Sequence, residues 1–254
     1  MVWLDREITY GFFLQFIDNT DLAGQYLDQS FVLNLLRLFD FEEPIYRANL
    51  GLTIHKIYRN FLHLRAPILR GINNMFFQVF YEVDRHSVIA DLLQTFDAIF
   101  DQLLPPLEGE SQRLFKRIVI PLHKFSSLKT YYPQLAYCTA KFIRKDAMLC
   151  EELIRGLLRY WPKGDEERET MFLIEIEETV CVMSPEGFRN IRVPLFQQLA
   201  RCINSPHVIV AICALSYWDN EHVVNIMSDN LAVLLPIVLP VLCTTLWRHW
   251  NVCV

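Results

Sequence analysis

Residues 89–103 read IADLLQTFDAIFDQL, and this stretch decides the expected fold. Its apolar side chains recur at intervals of three and four residues, which places them on one face of an α-helix. The same spacing returns along most of the chain, for example in residues 31–39, 50–64 and 153–158. Strict two-residue alternation, which would indicate a strand, is nearly absent. The sequence therefore predicts an all-α protein.

Serine and proline residues mark where the predicted helices start and stop. Ser184-Pro185 and Ser205-Pro206 each match an N-cap followed by a proline at the first helical position. The serine oxygen accepts a hydrogen bond from a free N–H there, and proline has no N–H to leave unpaired. Pro67 should end one helix and begin the next, because the residue before a proline disfavours the α region. About a dozen helices of roughly 10–18 residues follow from such signals.

These helices are short and amphipathic, and each is too small to bury its own apolar face. That pattern predicts a HEAT-like α-solenoid of stacked antiparallel helix pairs. We expect about six pairs over residues 1–254, forming a single repeat domain. A compact helical bundle is the alternative, and we favour it less because helices this short and numerous stack more naturally in layers.

The composition excludes several classes of protein. Of the 254 residues, 52% are hydrophobic and 21% are charged, so enough apolar surface is present to offset the entropy of ordering the chain. Glycine occurs only 8 times, and neither GxGxxG nor GxSxG is present, which removes the usual dinucleotide-binding loop and the nucleophile elbow. The net charge of -5 disfavours nucleic acid as a main partner, because such proteins usually need a basic face.

The cysteines and two further segments indicate the compartment. The 7 cysteines are odd in number and include no CxxC, so we predict mostly reduced core residues rather than a disulfide framework. The first residues contain no apolar stretch of the kind a signal peptide needs. Residues 231–247 carry no charge, but Pro236 and Pro240 interrupt them, and we predict a buried or kinked helix there and no membrane span. We expect a cytoplasmic or nuclear protein, or one found in both compartments.

Nothing in the sequence marks a catalytic centre. No HExxH occurs, and no group of His, Cys, Asp or Glu has convincing metal-ligand spacing, so we predict no catalytic residue, no metal and no cofactor. We interpret His123 as a buried histidine held by a hydrogen bond. Asp165, Glu166, Glu167 and Glu169 suit the first turn of a helix, where the helix dipole favours acids. The same four residues also suit an acidic loop that contacts a partner.

One cluster of polar side chains indicates binding. His55, Lys56, Tyr58 and Arg65 belong to the predicted helix around residues 50–64, and three of them fall on the arc beside its apolar face. Rings beside a fixed cation could line a groove for an extended peptide, with the guanidinium paired to an acid. An ordinary helix flank is the alternative, and the spacing alone does not decide between them.

Six runs spread along the chain carry a resemblance to a known family. They are HKIYRNFLHLRA (55–66), PLHK (121–124), YPQLAYC (132–138), YWPK (160–163), YWDNE (217–221) and HWN (249–251). On these runs, from about residue 8 to residue 251, the chain resembles the regulatory B-prime (B56-type) subunits of protein phosphatase 2A.

The resemblance implies a HEAT-like solenoid without activity of its own, which regulates a serine/threonine phosphatase in signal transduction. Such subunits dock on the phosphatase 2A scaffold and catalytic subunits and recruit substrate proteins through a groove for LxxIxE-type short linear motifs. Residues matching groove positions of the family are His55, Lys56, Tyr58, Arg65 and Ile99. Lys56 replaces an arginine, which keeps the charge but loses the planar fork. Acidic inter-repeat loops contact the other subunits in this family, and residues 165–169 could form one.

The chain departs from the family pattern at several groove positions. Thr95 stands where an isoleucine helps to form the apolar pocket, and Leu69 stands where the family has a basic residue. Glu108 and Ser111 replace a lysine and a histidine. Because Glu108 would repel an acidic peptide, we predict weakened or altered motif recognition.

A second departure concerns length. The helical core of the family continues past the HWN element, so the resemblance implies C-terminal repeats that this chain lacks. We then expect an exposed apolar face that includes Val238, Leu239, Leu242 and Leu246. The alternative function is a truncated decoy or peptide-binding adaptor that forms no working holoenzyme. An enzyme in its own right is a third hypothesis, against which the lack of a nucleophile or metal motif counts.

Overall fold

The computed structural model describes residues 2–81, 83–101 and 109–248, and the regular structure in them is helical throughout. The all-α prediction is therefore confirmed. Contacts between residues divide the chain into two compact units. The first contains the described residues of Met1–Pro105 and Thr130–Cys138, and the second those of Pro106–Lys129 and Thr139–Val254. The expectation of a single repeat domain stays a prediction.

The first unit is built from consecutive helices that pack in layers. They are α1 (Val2–Asp18), α2 (Thr20–Ala23), α3 (Gln29–Arg37), α4 (Pro44–Asn60), α5 (Arg65–Val79) and α6 (Ile89–Phe100). Helix α3 packs on α5 and α4 packs on α6, so a helix contacts the next but one as well as its neighbour. This packing is typical of an α-solenoid, since each pair covers the apolar face of the pair before it.

The second unit follows the same rule. Its helices are α7 (Gly109–Leu114), α8 (Ile120–Leu122), the latter half of α9 (Tyr132–Lys145), α10 (Leu149–Arg159), α11 (Glu166–Val182), α12 (Pro185–Ile203), α13 (Val208–Leu215), α14 (Glu221–Ser228) and α15 (Leu231–Arg248). Helix α10 packs on α11 and α12, α11 on α13, and α12 on α13 and α15. Both units thus confirm the predicted fold class of stacked, HEAT-like helix pairs.

The stretch that predicted the fold forms a buried stripe on α6. Its residues exposed by 1% or less are Ile89, Leu92, Leu93, Phe96, Ile99 and Phe100. Removing an apolar side chain of this size from water contributes about 1.5–3 kcal/mol. The stripe therefore fixes which face of α6 meets α4 and α5, and leaves the opposite edges of the helix available to line surface clefts.

Two predicted helix boundaries differ from the structure. Phe61 adopts an extended conformation that ends α4, a 3-10 turn covers Leu62–Leu64, and α5 begins at Arg65. The break thus comes before Ala66-Pro67, because a proline fits within the first turn of a helix, where its missing N–H leaves no bond unmade. Ser184 caps α12 as predicted, with its Oγ 3.1 Å from the Gly187 N–H nitrogen.

The prediction for Ser205 is wrong. Its Oγ accepts a hydrogen bond from the backbone N–H of His207 at 3.1 Å, inside a turn. His207 has an extended backbone and stands at the N-cap position, and α13 begins at Val208. Ser205 therefore stabilises the turn before the helix rather than the helix itself.

Helix α15 contains Pro236 and Pro240 and packs on α12. Val238 is only 5% exposed, so its assignment to an exposed face is wrong, whereas Leu239 is 47% exposed as expected. Leu242 is half-buried, and the side chain of Leu246 lies outside those described. Among the described residues no single helix is long and apolar enough to cross a membrane, although α14 and α15 as a pair bent by 112° pass by length and composition.

The cysteines of the described residues are free thiols, and most lie at least partly inside the protein. Burial raises the pKa of Cys150 to about 11 and that of Cys202 to about 12, so both stay protonated and unreactive. Cys243 is exposed, in contrast to the predicted core position, and Cys253 lies outside the described residues.

Candidate functional site

One face of α4 carries the residues that the sequence predicts for binding. Gly51, His55 and Tyr58 follow one another at four and three residues, so they share an edge of the helix. The neighbouring edge is the core stripe, in which Ile54 and Ile57 are fully buried. This stripe anchors α4 and thereby fixes the direction of the polar edge beside it.

A cleft of about 260 Å³ runs between α4 and α6. Its lining residues are Arg47, Ala48, Gly51, Leu52, His55, Asp91, Gln94, Thr95 and Ala98. Arg47 ties the two helices together, since one Nη donates to Asp91 Oδ2 at 3.3 Å and to the Ser87 carbonyl at 3.2 Å. Leu52 is 56% exposed at the cleft, so its walls offer apolar surface to a ligand.

Helices α4 and α6 approach each other closely at Gly51. A Cβ atom at this position would lie 2.5 Å from Thr95 Oγ1, nearer than two such atoms can come. The Thr95 hydroxyl donates to the Asp91 carbonyl at 2.8 Å, and the residue is only 4% exposed. Sequence reasoning missed Gly51, although a glycine within a helical run is a signal for such a contact.

His55 lines the cleft and is half-buried. Burial lowers its pKa, the positive charge of Arg59 lowers it further, and Asp101 opposes both. The net pKa lies below the ordinary histidine value, so the ring is neutral near pH 7. A neutral imidazole can donate one hydrogen bond and accept another, which suits contact with a peptide backbone.

Tyr58 and Arg65 form a pair across the break between α4 and α5. Arg65 Nε donates to the Tyr58 carbonyl at 3.0 Å, and its guanidinium carbon lies 5.0 Å from the centre of the Tyr58 ring. Burial raises the pKa of Tyr58, an effect that Arg65 only partly opposes, so the phenol stays protonated. The two Nη groups of Arg65 donate to no residue that the structure describes, which leaves them available to a carboxylate.

Other predicted groove residues have different surroundings. Lys56 Nζ donates to Asp18 Oδ2 at 2.7 Å and to the Leu14 carbonyl at 3.0 Å, so it connects α4 to α1. Ile99 is fully buried in the core of α6. The structure thus brings His55, Tyr58 and Arg65 to one edge of α4, but it does not bring Lys56 or the surface of Ile99 there.

The positions that depart from the family pattern are also scattered. Glu108 lies outside the described residues. Ser111 is half-buried on α7 of the second unit, and Leu69 is half-buried on α5 of the first. The predicted effect of these three positions on an acidic ligand stays a prediction.

The acidic stretch 165–169 opens α11 in the second unit. Asp165 is the N-cap, since its Oδ1 accepts from the backbone N–H of Arg168 at 3.2 Å. Glu169 is 7% exposed and accepts from Trp161 Nε1 at 3.3 Å and from the Gly164 N–H at 3.0 Å. These two acids hold the turn together, as expected for residues at a helix start.

Glu166 and Glu167 differ from them because their side chains are 40% and 57% exposed. Glu166 lies 3.6 Å from His207 Nδ1, and Glu167 pairs with Lys129. Both border a cleft of about 790 Å³ that also includes Ile174. Of the predicted contact loop, these two residues are the ones with surface to offer a partner.

The histidine interpreted from sequence as buried is fully buried. His123 Nδ1 lies 3.0 Å from the Ile120 carbonyl, and Nε2 lies 3.1 and 3.2 Å from the two oxygens of Glu175. Arg168 donates to the carbonyls of His123 and Lys124 at 3.3 and 3.2 Å. This network joins the end of α8 to α11 and has a structural role in the second unit. Within the described residues, no group of three His, Cys, Asp or Glu could hold a metal.

Replacing Lys56 tests whether it belongs to the site or to the core of the first unit. We expect Lys56→Ala to lower the free energy of unfolding by about 0.5–1 kcal/mol and to speed amide hydrogen exchange in the last turns of α1. Lys56→Met, which keeps the aliphatic stem, should speed exchange equally while losing less stability. A loss of peptide affinity without faster exchange in α1 would contradict the tether.

Stacked helix pairs with a cleft along one helix edge define a helical-repeat binding protein. The family model described as protein phosphatase 2A regulatory B subunit (B56 family) matches residues 1–254. The chain therefore belongs to the B56 family. This family is regulatory, which confirms the expectation of a phosphatase regulator rather than an enzyme.

Relatives from distant organisms agree with this assignment. The phosphatase 2A 56 kDa regulatory subunit delta isoform of Oryctolagus cuniculus is 44% identical over 98% of this chain and 43% of its own length. That of Saccharomyces cerevisiae is 46% identical over 95% of this chain and 32% of its own length. The eta isoform of the phosphatase 2A 59 kDa regulatory subunit in Arabidopsis thaliana is 41% identical over 99% and 50%. The chain thus spans between a third and a half of these relatives.

Proposed function

We propose that the chain acts as a non-catalytic regulatory subunit of protein phosphatase 2A, which binds the scaffold and catalytic subunits and recruits substrates. The observation that carries this proposal is the match of the B56 family model to the whole sequence. The exposed acids Glu166 and Glu167 are the proposed contact with the phosphatase core, because they combine charge with an adjacent cleft.

The proposed substrate-recruiting site is the edge of α4. An LxxIxE-type peptide would place an apolar side chain in the α4–α6 cleft, where Leu52 and Ala98 provide the walls. Its glutamate would pair with the Nη groups of Arg65, which Tyr58 holds in position through its carbonyl and its ring. A cation that is already oriented loses little side-chain freedom on binding, and this favours affinity.

Titration of an LxxIxE peptide tests this site. We expect Arg65→Ala to weaken binding about tenfold or more, because a charge-assisted hydrogen bond is lost. Arg37→Ala removes the same charge from an exposed position on α3 and should leave the affinity unchanged. Equal affinities for the parent chain and the Arg65→Ala variant, measured by calorimetry, would place the peptide elsewhere.

Assembly requires a separate experiment, since the chain spans half or less of its relatives. We expect the tagged chain to retain purified scaffold and catalytic subunits in a pull-down. A chain that binds the peptide but retains neither subunit would instead be a decoy or a peptide-binding adaptor, the alternative function. Phosphatase activity of the chain by itself on a phosphopeptide would contradict both proposals.

A further inference from the structure

The first unit has a second cleft, between α6 and the start of α9. Its volume is about 400 Å³, and its lining residues are Leu93, Gln94, Asp97, Pro133, Gln134 and Tyr137. Three of them come from one edge of α6 and three from one edge of α9, because each set is spaced by one, three and four residues. Gln94 also lines the α4–α6 cleft, so it forms the ridge between the two.

The chemistry of this cleft favours a ligand that donates hydrogen bonds and carries a positive charge. Asp97 contributes a carboxylate, and the lining residues include no lysine or arginine. Gln134 Oε1 is buried and accepts no hydrogen bond from the described residues. A buried acceptor without a donor is costly, so a ligand that supplies the donor gains affinity.

An aromatic surface lies beside these acceptors. Tyr137 is 55% exposed, and Pro133 and Leu93 add apolar surface to the same cleft. The face of a tyrosine ring attracts cations, most readily a planar guanidinium that can stack on it. Acceptors and a ring within one cleft distinguish this surface from an ordinary acidic patch.

We propose that the α6–α9 cleft binds an arginine side chain of a partner peptide. The guanidinium stacks on Tyr137 and donates to Asp97 and to Gln134 Oε1, while its aliphatic stem contacts Pro133. Arginine suits the cleft better than lysine, because its planar fork can serve two acceptors while it stacks. The proposal does not depend on motif binding at α4, since none of these contacts involves His55, Tyr58 or Arg65.

An NMR titration with short peptides tests the proposal on the full chain. The probe is the capped pentapeptide Gly-Ala-Arg-Ala-Gly, and its partner carries citrulline, which has the same shape without the charge. We expect the arginine peptide at millimolar concentration to shift the methyl signals of Leu93, and the citrulline peptide to bind about tenfold more weakly. Neither peptide contains LxxIxE, so failure at α4 leaves this outcome unaffected.

Variants separate the cleft from general attraction to an acidic chain. We expect Asp97→Asn to weaken the arginine peptide about tenfold and Gln134→Leu about fivefold. Glu186→Gln removes one charge from an exposed position on α12 and should change nothing. Equal effects of Asp97→Asn and Glu186→Gln, equal binding of both peptides, or no shift at Leu93 would each overturn the proposal.

Discussion

Replacing Glu175 by alanine is expected to lower the free energy of unfolding by about 3–5 kcal/mol, because it breaks a buried ion pair. Glu175 is 4% exposed, and both of its carboxylate oxygens lie within 3.2 Å of Nε2 of the fully buried His123. The substitution leaves the imidazole without its partner and opens a cavity between α8 and α11. Urea denaturation of the full chain measures the loss.

The protonated form of His123 fits its surroundings. Both ring nitrogens face acceptors, the Ile120 carbonyl at Nδ1 and the Glu175 carboxylate at Nε2. Burial lowers the pKa of His123, but the charge and hydrogen bonds of Glu175, together with backbone carbonyls, outweigh burial and raise the pKa above its ordinary value. The folded protein therefore binds this proton more tightly than the unfolded chain does.

The direction of the pH dependence follows from this raised pKa. The stabilisation from the protonated pair is complete below the unfolded pKa of about 6.5, and it is lost as the pH rises through the folded pKa. We expect this component of stability to be absent in Glu175→Gln, which keeps the size and one acceptor oxygen without the charge. Unfolding free energies measured between about pH 6 and pH 9 would reveal it.

A matched control uses the same substitution in an exposed pair. Lys116 and Glu152 lie 2.8 Å apart, with side chains 43% and 47% exposed. Such pairs contribute about 0–1 kcal/mol, so Glu152→Ala should cost far less than Glu175→Ala. Similar losses for the two variants would show that burial of the His123–Glu175 pair has no special consequence.

The burial of His123 could be predicted from its apolar neighbours, but its partner could not. Glu175 is 52 residues away, and its carboxylate lies on a helix edge that looks solvent-exposed in the sequence. Periodicity indicates which edge of a helix is apolar, but it does not determine which helices meet. The same limit explains why the contact between Gly51 and Thr95 was missed.

The candidate site shows a second limit of prediction from sequence. The apolar spacing continues through Phe61 and Leu64, because a 3-10 turn keeps these side chains directed into the core. The pattern alone therefore predicted an unbroken helix, whereas the structure ends α4 at Asn60. Only this break allows Arg65 to turn back and bond the Tyr58 carbonyl.

Phe172→Ala is expected to cost about 3–5 kcal/mol of unfolding free energy, the usual range for removing a buried aromatic ring. Phe172 is fully buried on α11, three residues before Glu175. Its ring contacts that of His123 edge to face at 5.8 Å and that of Trp161 at 5.7 Å. Phe172→Leu fills most of the space and should cost less than about 1.5 kcal/mol.

The double variant Phe172→Ala/Glu175→Ala tests whether the ring and the carboxylate act on one imidazole. Once Glu175 is gone, His123 has lost the partner that holds its charged form, so removing Phe172 disturbs a ring that is already free to move. We therefore expect the double variant to lose about 0.5–3 kcal/mol less than the sum of the single variants. Additive losses would instead mean that Phe172 stabilises α11 mainly through Trp161, and that the His123–Glu175 pair is independent of it.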